Sequence, residues 1–550
     1  MKPRQYQTDC SDAIFRDWAM VDSTLVVMPT GLGKTIVFAG VIQCLFPRRV
    51  MVIAHREELI FQARDKIKAV TGLDAEIEMG DYRANLDNGL FGTRVKVIIS
   101  TIQTLTAGGD GSGRMTRFDP AMFGALIIDE AHHATAATYR RVINWFRKNP
   151  RLKILGVTAT PDRTDEEALG QIFESTAYEY EILDAIHNGW LVPIEQLFVA
   201  VDEFDLSNVR TTAGDLNGAD LAAVMEQETM LHRIASPTIE IIGSRRTIVF
   251  AASVIQAERL SEIFNRHQPG MSAWVCGTTD KDKRRKILKQ FAENEIQIVC
   301  NVGVLTEGFD DPGVEVIVMG RPTKSRALYS QMCGRSTRPL PGLVDGPETA
   351  EDRKLAIEFS RKPSCLVVDF VGNSGRHKLV STADILGGKI SDEAIEEAVR
   401  AARKSSKPVR MDAMLDEQEK AIAQRHLAEE ARRARLQVQA NFRAHAVSPF
   451  DVLGLQPVRE RGRDTGKKLT VRQHEVLLKQ GIDSNTMSYA QAKAVLNEMF
   501  RRFNSNQCSF KMAKVLRKAG YSGTESFEEA SKLITALKAN NWQRPMETVA

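Results

Sequence analysis

Met28-Pro29-Thr30-Gly31-Leu32-Gly33-Lys34-Thr35 follows the apolar run Leu25–Val27 and precedes Ile36-Val37-Phe38. That order reads as strand, glycine loop, helix. The glycines let successive backbone N–H groups turn inward on a phosphate chain. Lys34 can then reach the β- and γ-phosphates, and the Thr35 hydroxyl can hold Mg²⁺. The general pattern carries Gly where this chain has Met28, so the loop is a variant that needs a second signal. Asp129-Glu130-Ala131-His132 supplies it, again behind an apolar run, Ala125–Ile128. Asp129 can hold the Mg²⁺ and Glu130 can activate a water. The plainer reading is a glycine turn and a solvated acidic turn. Both stretches follow buried-strand patterns in the right order, which favours a nucleotide site.

The chain has 550 residues, with 43% hydrophobic and 26% charged, ordinary proportions for a globular protein. That length is too great for one core and implies about two to four domains. Residues 1–20 are polar and lack the apolar core of a signal peptide. No segment approaches the roughly 20 apolar residues of a membrane span. Seven cysteines form no C-x-x-C pair, which argues against zinc or iron–sulfur sites. Their odd count suits a reducing compartment, so the expectation is a cytoplasmic protein. Cys276 and Cys300 lie in or beside apolar runs and read as core thiols. The net charge of +4 is too small to diagnose a nucleic-acid partner; its distribution says more.

Residues 1–200 alternate short apolar strands with helical stretches. The strand candidates are Leu25–Met28, Val50–Ala54, Val95–Ser100, Ala125–Ile128 and Lys153–Val157. Continuous apolar runs joined by helices predict a buried parallel sheet. Thr106–Gly113 is glycine-rich and reads as a loop. The polar stretch 201–235 reads as a linker region. A second alternating block, 236–385, carries Thr247–Ala251, Ser272–Val275, Ile296–Asn301, Val314–Val318 and Cys365–Asp369 as strands. Two such units in tandem create a cleft at the carboxyl ends of their sheets. Residues 386–454 are rich in Ala, Glu, Arg and Lys. Ser391-Asp392-Glu393 opens a helix that breaks at Lys404–Pro408, and in Met411–Ala446 the thin stripe of Leu415, Ile422, Val438 and Phe442 predicts a solvated helix or hairpin.

Residues 455–550 hold an internal duplication. Val476–Ile482 echoes Val515–Tyr521, and Ser488–Ala492 echoes Ser526–Ala530. Each unit reads as a short helix, a glycine stop and a second helix. Thr470 with Gln473, Ser488 with Gln491 and Ser526 with Glu529 have capping-box spacing. Lys and Arg outnumber Asp and Glu here by roughly two to one, the sign that suits a phosphate backbone. The alternative is a small helical domain that docks a protein partner.

Further motifs appear in order: Ala54–Leu59, Ser100–Thr104, Thr158-Ala159-Thr160-Pro161, Val302–Pro312 and Gln331–Arg338. Together with the two stretches above they resemble the superfamily-two helicases and translocases of the DEAH form. The resemblance covers about residues 3–375. Within that superfamily the chain is similar to the type III restriction/XPB-like group, on Asp184-Ala185-Ile186 with Gly189–Pro193. Cys365–Asn373 with His377 looks like the bacterial and phage branch.

The resemblance implies two tandem RecA-like parallel-sheet domains with a nucleotide cleft between them, followed by all-α extensions. It implies ATP and Mg²⁺ as ligands, with Thr35 and Asp129 on the metal. Arg4, Gln7, Thr30, Gly31, Gly33, Lys34, Thr35, Asp129, Gly308 and Asp310 would line the nucleotide. Arg4-Gln5-Tyr6-Gln7 departs from the usual Arg-Pro-Tyr-Gln of the adenine side. Glu130, Gln331, Arg335 and Arg338 would carry the chemistry, the two arginines arriving from the second domain to meet the γ-phosphate. Arg56, Thr101 and Thr306 are candidates for sugar-phosphate contacts, although turn or capping roles are open for the threonines. His132, Thr158 and Thr160 would couple the cleft to the strand path, and His133 reads as a neighbour. The implied function is an ATP-dependent nucleic-acid helicase or translocase, favouring DNA and 3′-to-5′ movement. The alternatives are the motor subunit of a restriction or defence complex, and a scaffold with a decayed ATP site. Intact Lys34, Thr35, Asp129, Glu130, Arg335 and Arg338 count against decay.

Overall fold

The computed structural model describes residues 3–539 and 542, except 56, 87–95, 109–112, 160–167, 213, 307, 376, 389, 438–447, 457, 459–463 and 465. Part of the expected Thr106–Gly113 loop, and Arg56, Thr160, Val438 and Phe442, therefore lie outside the described residues. The chain forms two compact units, 1–162 with 172–432, and 433–550 with 163–171. Both sheets belong to the first unit. Among the described residues no helix is long and apolar enough to cross a membrane.

The first sheet holds β1 (Ser23–Val27), β2 (Arg49–Ala54), β3 (Ala75–Glu78), β4 (Val97–Thr101), β5 (Phe123–Asp129), β6 (Lys153–Thr158) and β7 (Ser175–Glu179). Their order is β3-β4-β2-β5-β6-β1-β7, and every pairing is parallel. β1, β2 and β4 are buried at every position, which is why they read as unbroken apolar runs. The loop 28–33 leaves the carboxyl end of β1, between β6 and β7, and feeds the helix Lys34–Leu45. Asp129 ends β5 and Thr158 ends β6, so all three signals reach the same edge.

The second sheet holds β8 (Ile194–Asp205), β11 (Thr247–Ala251), β12 (Ser272–Val275), β13 (Ile298–Asn301), β14 (Val316–Gly320), β15 (Cys365–Asn373) and β16 (Val409–Arg410). The order is β12-β13-β11-β14-β15-β8-β16, with only β16 antiparallel. β9 (Thr211–Thr212) and β10 (Asp215–Leu216) form a small antiparallel pair.

Two expectations change. The stretch 201–235 is not a linker: β8 pairs with β15, and Val201, Phe204, Leu206, Val209, Leu216, Leu221, Met225, Met230, Leu231 and Ile234 fill the second core. Its apolar residues are interspersed with Asp, Glu and Asn, so polar composition hid the end of a strand and two helices. The start of the 411–446 stretch is not solvated either, and the helix before it is packed. Ala394, Ile395, Ala398 and Ala402 on the helix Asp392–Lys404, then Met411, Leu415 and Ile422, are buried in the core. Alanines carry that face, and a stripe defined by large residues overlooks them.

The second unit contains the helices Pro449–Leu453, Val471–Lys479, Tyr489–Asn504, Phe510–Lys518 and Phe527–Ala539 around its own core. Phe450, Val452 and Leu453 belong to that core, so the unit begins before the expected boundary at 455. The three capping boxes form: Thr470 and Gln473, Ser488 and Gln491, and Ser526 and Glu529 exchange side-chain and backbone bonds.

Candidate active site

Gly31 and Gly33 adopt φ of +87° and +75°, which only glycine takes without strain. Gly31 has a second constraint: a Cβ there would stand 2.8 Å from Cγ of Arg338, a residue of the second domain. Across the same contact, a Cβ on Gly334 would overlap Oγ1 of Thr30. The glycine loop of the first domain is therefore seated directly against the 334–338 segment of the second.

Lys34 opens the helix at the loop, and its Nζ pairs with Oε1 of Glu130 at 3.2 Å, both side chains about 90% buried. Thr35 follows at the second helical position, half-buried. Asp129 is buried and accepts the Glu130 backbone N–H at 3.1 Å. Glu130 itself sits at φ 49°, ψ 54°, a left-handed conformation for a side chain that gains nothing from it locally. Strain of this kind, about 1–3 kcal/mol, concentrates at functional sites. His132 Nδ1 lies 3.1 Å from Thr158 Oγ1 and 3.5 Å from Glu130 Oε2. The structure thus joins Glu130, His132 and Thr158 in one contact chain across β5 and β6. The His133 ring stacks on His55, 4.3 Å away, and lies 4.1 Å from the His132 ring.

On the other side of the loop, Gln7 Nε2 donates to Leu32 O at 2.9 Å and its Oε1 accepts from Arg4 N. The Tyr6 hydroxyl donates to the same carbonyl at 3.0 Å. Arg4 reaches Asp345 at 2.8 Å and lies over the Trp190 ring at 4.9 Å. Tyr6 stacks on Tyr180 and meets Trp190 edge-on, both at 5.3 Å, while Arg353 covers Trp190 at 3.8 Å. Tyr180, Asp345 and Arg353 were missed by the sequence reading because they lie far from Arg4 in sequence and match no motif. Trp190 lies within the Gly189–Pro193 motif, which does not by itself give it a role.

The two arginines separate. Arg338 pairs with Asp310 beside the loop. Arg335 donates to the carbonyls of Phe309 and, at 2.7 Å, Thr306, so it braces these two residues of its own domain. Gln331 is buried on the helix Arg326–Cys333. Gly308, at φ +74°, offers its carbonyl to Gln62 Nε2 at 3.0 Å, on the helix Glu57–Thr71. It joins the domains rather than lining the glycine loop. Both candidate strand-contact threonines are buried and use their hydroxyls internally. Thr101 caps the helix Ile102–Thr106 through Thr104, and Thr306 bonds Gly303 O at 3.4 Å. The capping role fits Thr101 and the turn role fits Thr306.

An anion-accepting loop, a buried lysine–carboxylate pair and a cation from a second domain are the parts of a phosphoanhydride-cleaving site. Residues 1–163 match the family described as type III restriction enzyme, res subunit, and residues 230–339 match the helicase conserved C-terminal domain. The chain is 29% identical over 418 residues to a protein of Saccharomyces cerevisiae named putative ATP-dependent helicase IRC3, covering 72% of this chain and 55% of that one. It is 24% identical over 350 residues to the type I restriction enzyme EcoAI endonuclease subunit of Escherichia coli, covering 57% and 41%. The chain spans about half the length of these relatives. The solved structure of the type ISP restriction-modification enzyme LlaBIII bound to DNA shares the fold, with a TM-score of 0.50 and 14% identity, covering 98% of this chain and 42% of that one.

Proposed function

We propose that this chain, whose two sheet domains are those of the superfamily-two helicases, is an ATP-dependent translocase or helicase acting on nucleic acid, DNA in preference to RNA. One observation carries the reading: Lys34 and Glu130 from the first sheet, and Gly334 and Arg338 from the second, converge on a single glycine loop. A triphosphate entering that loop meets the N–H groups of a helix start and the Lys34 ammonium. Its charge competes with Glu130 for Lys34, and the released carboxylate can take a proton from an attacking water. Arg338, already on Gly31, compensates charge that develops on the transferring phosphoryl group. Thr35 and Asp129 are hard oxygen donors at the loop and fit Mg²⁺, which when bound screens the phosphates.

Because Arg338 and Gly334 belong to the other sheet, bound nucleotide favours the joined domains and hydrolysis relaxes that preference. A strand gripped differently in the two arrangements moves with each cycle. Seven free thiols, six of them buried, suit the reducing cytoplasm.

The test is the ATPase rate measured in parallel with single-stranded DNA, duplex DNA and RNA, then strand displacement on duplexes tailed at either end. Stimulation by DNA is expected. Turnover indifferent to every nucleic acid would overturn the reading. A second reading, the motor subunit of a restriction or defence complex, is favoured by the res-subunit match over residues 1–163. It predicts that turnover rises only when a partner subunit is added.

A further inference from the structure

Asp369 interrupts the apolar run Cys365–Val371 on β15. Nothing in the fold requires a carboxyl there, since its neighbours Val367, Val368 and Phe370 are simple core residues. A buried carboxyl is costly unless bonded, and this one is bonded from two elements. The Tyr329 hydroxyl donates to Oδ2 at 2.6 Å, and Gln196 Nε2 on β8 donates to the same oxygen at 3.0 Å. Gln196 Oε1 in turn accepts from the Thr382 hydroxyl and lies 3.4 Å from the Tyr329 hydroxyl. Tyr329 is 2% exposed and sits on the helix Arg326–Cys333, two residues before Gln331 and nine before Arg338.

A cavity of about 30 Å³, room for one water, borders the carboxyl. It shares Leu379, Ser381 and Arg403 with a wider cleft of about 370 Å³ on the surface. The remaining charged or titratable groups facing Asp369 are Arg403, Asp384 and, beyond Tyr329, Cys333. Burial pushes the Asp369 carboxyl up to about 7, against the Tyr329 and Gln196 bonds and the Arg403 charge. Burial also holds the Tyr329 hydroxyl protonated as a donor.

We propose that Asp369 is a positioning residue for nucleotide hydrolysis: through Tyr329 it fixes the helix Arg326–Cys333, and with it the approach of Arg338 to the glycine loop. The ionised carboxylate holds the phenol by a charge-assisted bond, and the protonated acid holds it less tightly. The proposal rests on the hydrolase reading above. The experiment is nucleic-acid-stimulated ATPase of the full chain, wild type, Tyr329→Phe and Asp369→Asn, from pH 5.5 to 8.5.

In the wild type, kcat rises through a step near pH 7, while KM for ATP changes little. Tyr329→Phe lowers kcat about tenfold with KM within about twofold, because the loss is one hydrogen bond to a charged group. Asp369→Asn, which cannot titrate, lacks the step. An unchanged kcat in Tyr329→Phe, or a step that survives in Asp369→Asn, overturns the proposal. Should Asp369→Asn fail to fold, a full-height step in Tyr329→Phe overturns it equally, since the proton would then act elsewhere. A wild type without ATPase at any pH is a different failure: it removes the hydrolase reading, and this proposal with it.

Discussion

Lys34 and Glu130 are each other's counter-ion in a site that admits little water, so removing either leaves the other's charge buried. Lys34→Ala is therefore expected to abolish ATP binding as well as turnover. Glu130→Gln keeps the shape and the phosphate grip but loses the base, so it should bind ATP normally and hydrolyse it about 10²–10⁴-fold more slowly. Nucleotide titrations and single-turnover rates separate the two; near-normal turnover in Glu130→Gln would sink its role. The arginines part in the same way. Arg338→Ala should cut kcat by about 10³ or more with little change in ATP affinity, because its contact is with the loop. Arg335→Ala should also loosen Thr306 and Phe309, so its defect includes weaker stimulation by nucleic acid. Equal and purely catalytic defects would contradict that division. Asp369 adds a stability prediction. Its folded value of about 7 lies above the ordinary 3.8, so the native state holds this proton more tightly than the unfolded chain. Its contribution is present in full below about pH 4 and is lost as pH rises to about 7. Thermal melts of wild type and Asp369→Asn should diverge over that window, the wild type falling relative to the variant, and run parallel above it.

At the scale of elements, β1, β2, β5 and β6 were legible because a strand covered on both faces shows one unbroken apolar run. The loop and the acidic pair were legible because their spacing is fixed by phosphate geometry. β8 was not, since Asp202, Glu203 and Asp205 follow its apolar run Leu197–Val201 and read as the start of a polar stretch. The Trp190 cluster was not, because Arg4, Asp345 and Arg353 meet only after folding. The duplicated helical units were legible at the level of caps. Gly481 and Gly520 both stand just past a helix at φ +75° and +82°. In each unit the next backbone N–H bonds five residues back, Ile482 to Leu477 and Tyr521 to Leu516. An added Cβ meets no neighbour at either glycine, so the cost of alanine is backbone strain alone, about 1 kcal/mol. Gly481→Ala should speed hydrogen exchange about fivefold in the helix Val471–Lys479, with ATPase unaltered. Exchange identical to wild type would mean the turn is held by something other than its left-handed glycine.

The whole molecule divides its labour. The glycine loop, the acidic pair and both arginines lie in the first compact unit, and the second carries none of them. Its residues 471–539 hold eleven Lys and Arg against six Asp and Glu, and basic residues also precede them at Arg459, Arg461, Arg463, Lys467 and Lys468. A chain ending near residue 437, ahead of the helix Pro449–Leu453 that belongs to the second core, should keep its fold and basal ATPase. If the second unit grips phosphates, that truncation binds DNA more weakly and with a shallower salt dependence, since each lost contact releases one fewer counterion, a slope change of about 0.9 per phosphate on duplex DNA. If the unit instead docks a protein partner, affinity and slope stay as they were. Exposed Phe503 and Phe527 leave apolar surface for such a partner. Binding of full-length and truncated chains to one DNA, followed from about 50 to 200 mM salt, decides between them. Converging lines, with the full-length chain tighter at low salt, support phosphate contact; superimposed lines assign the unit to docking.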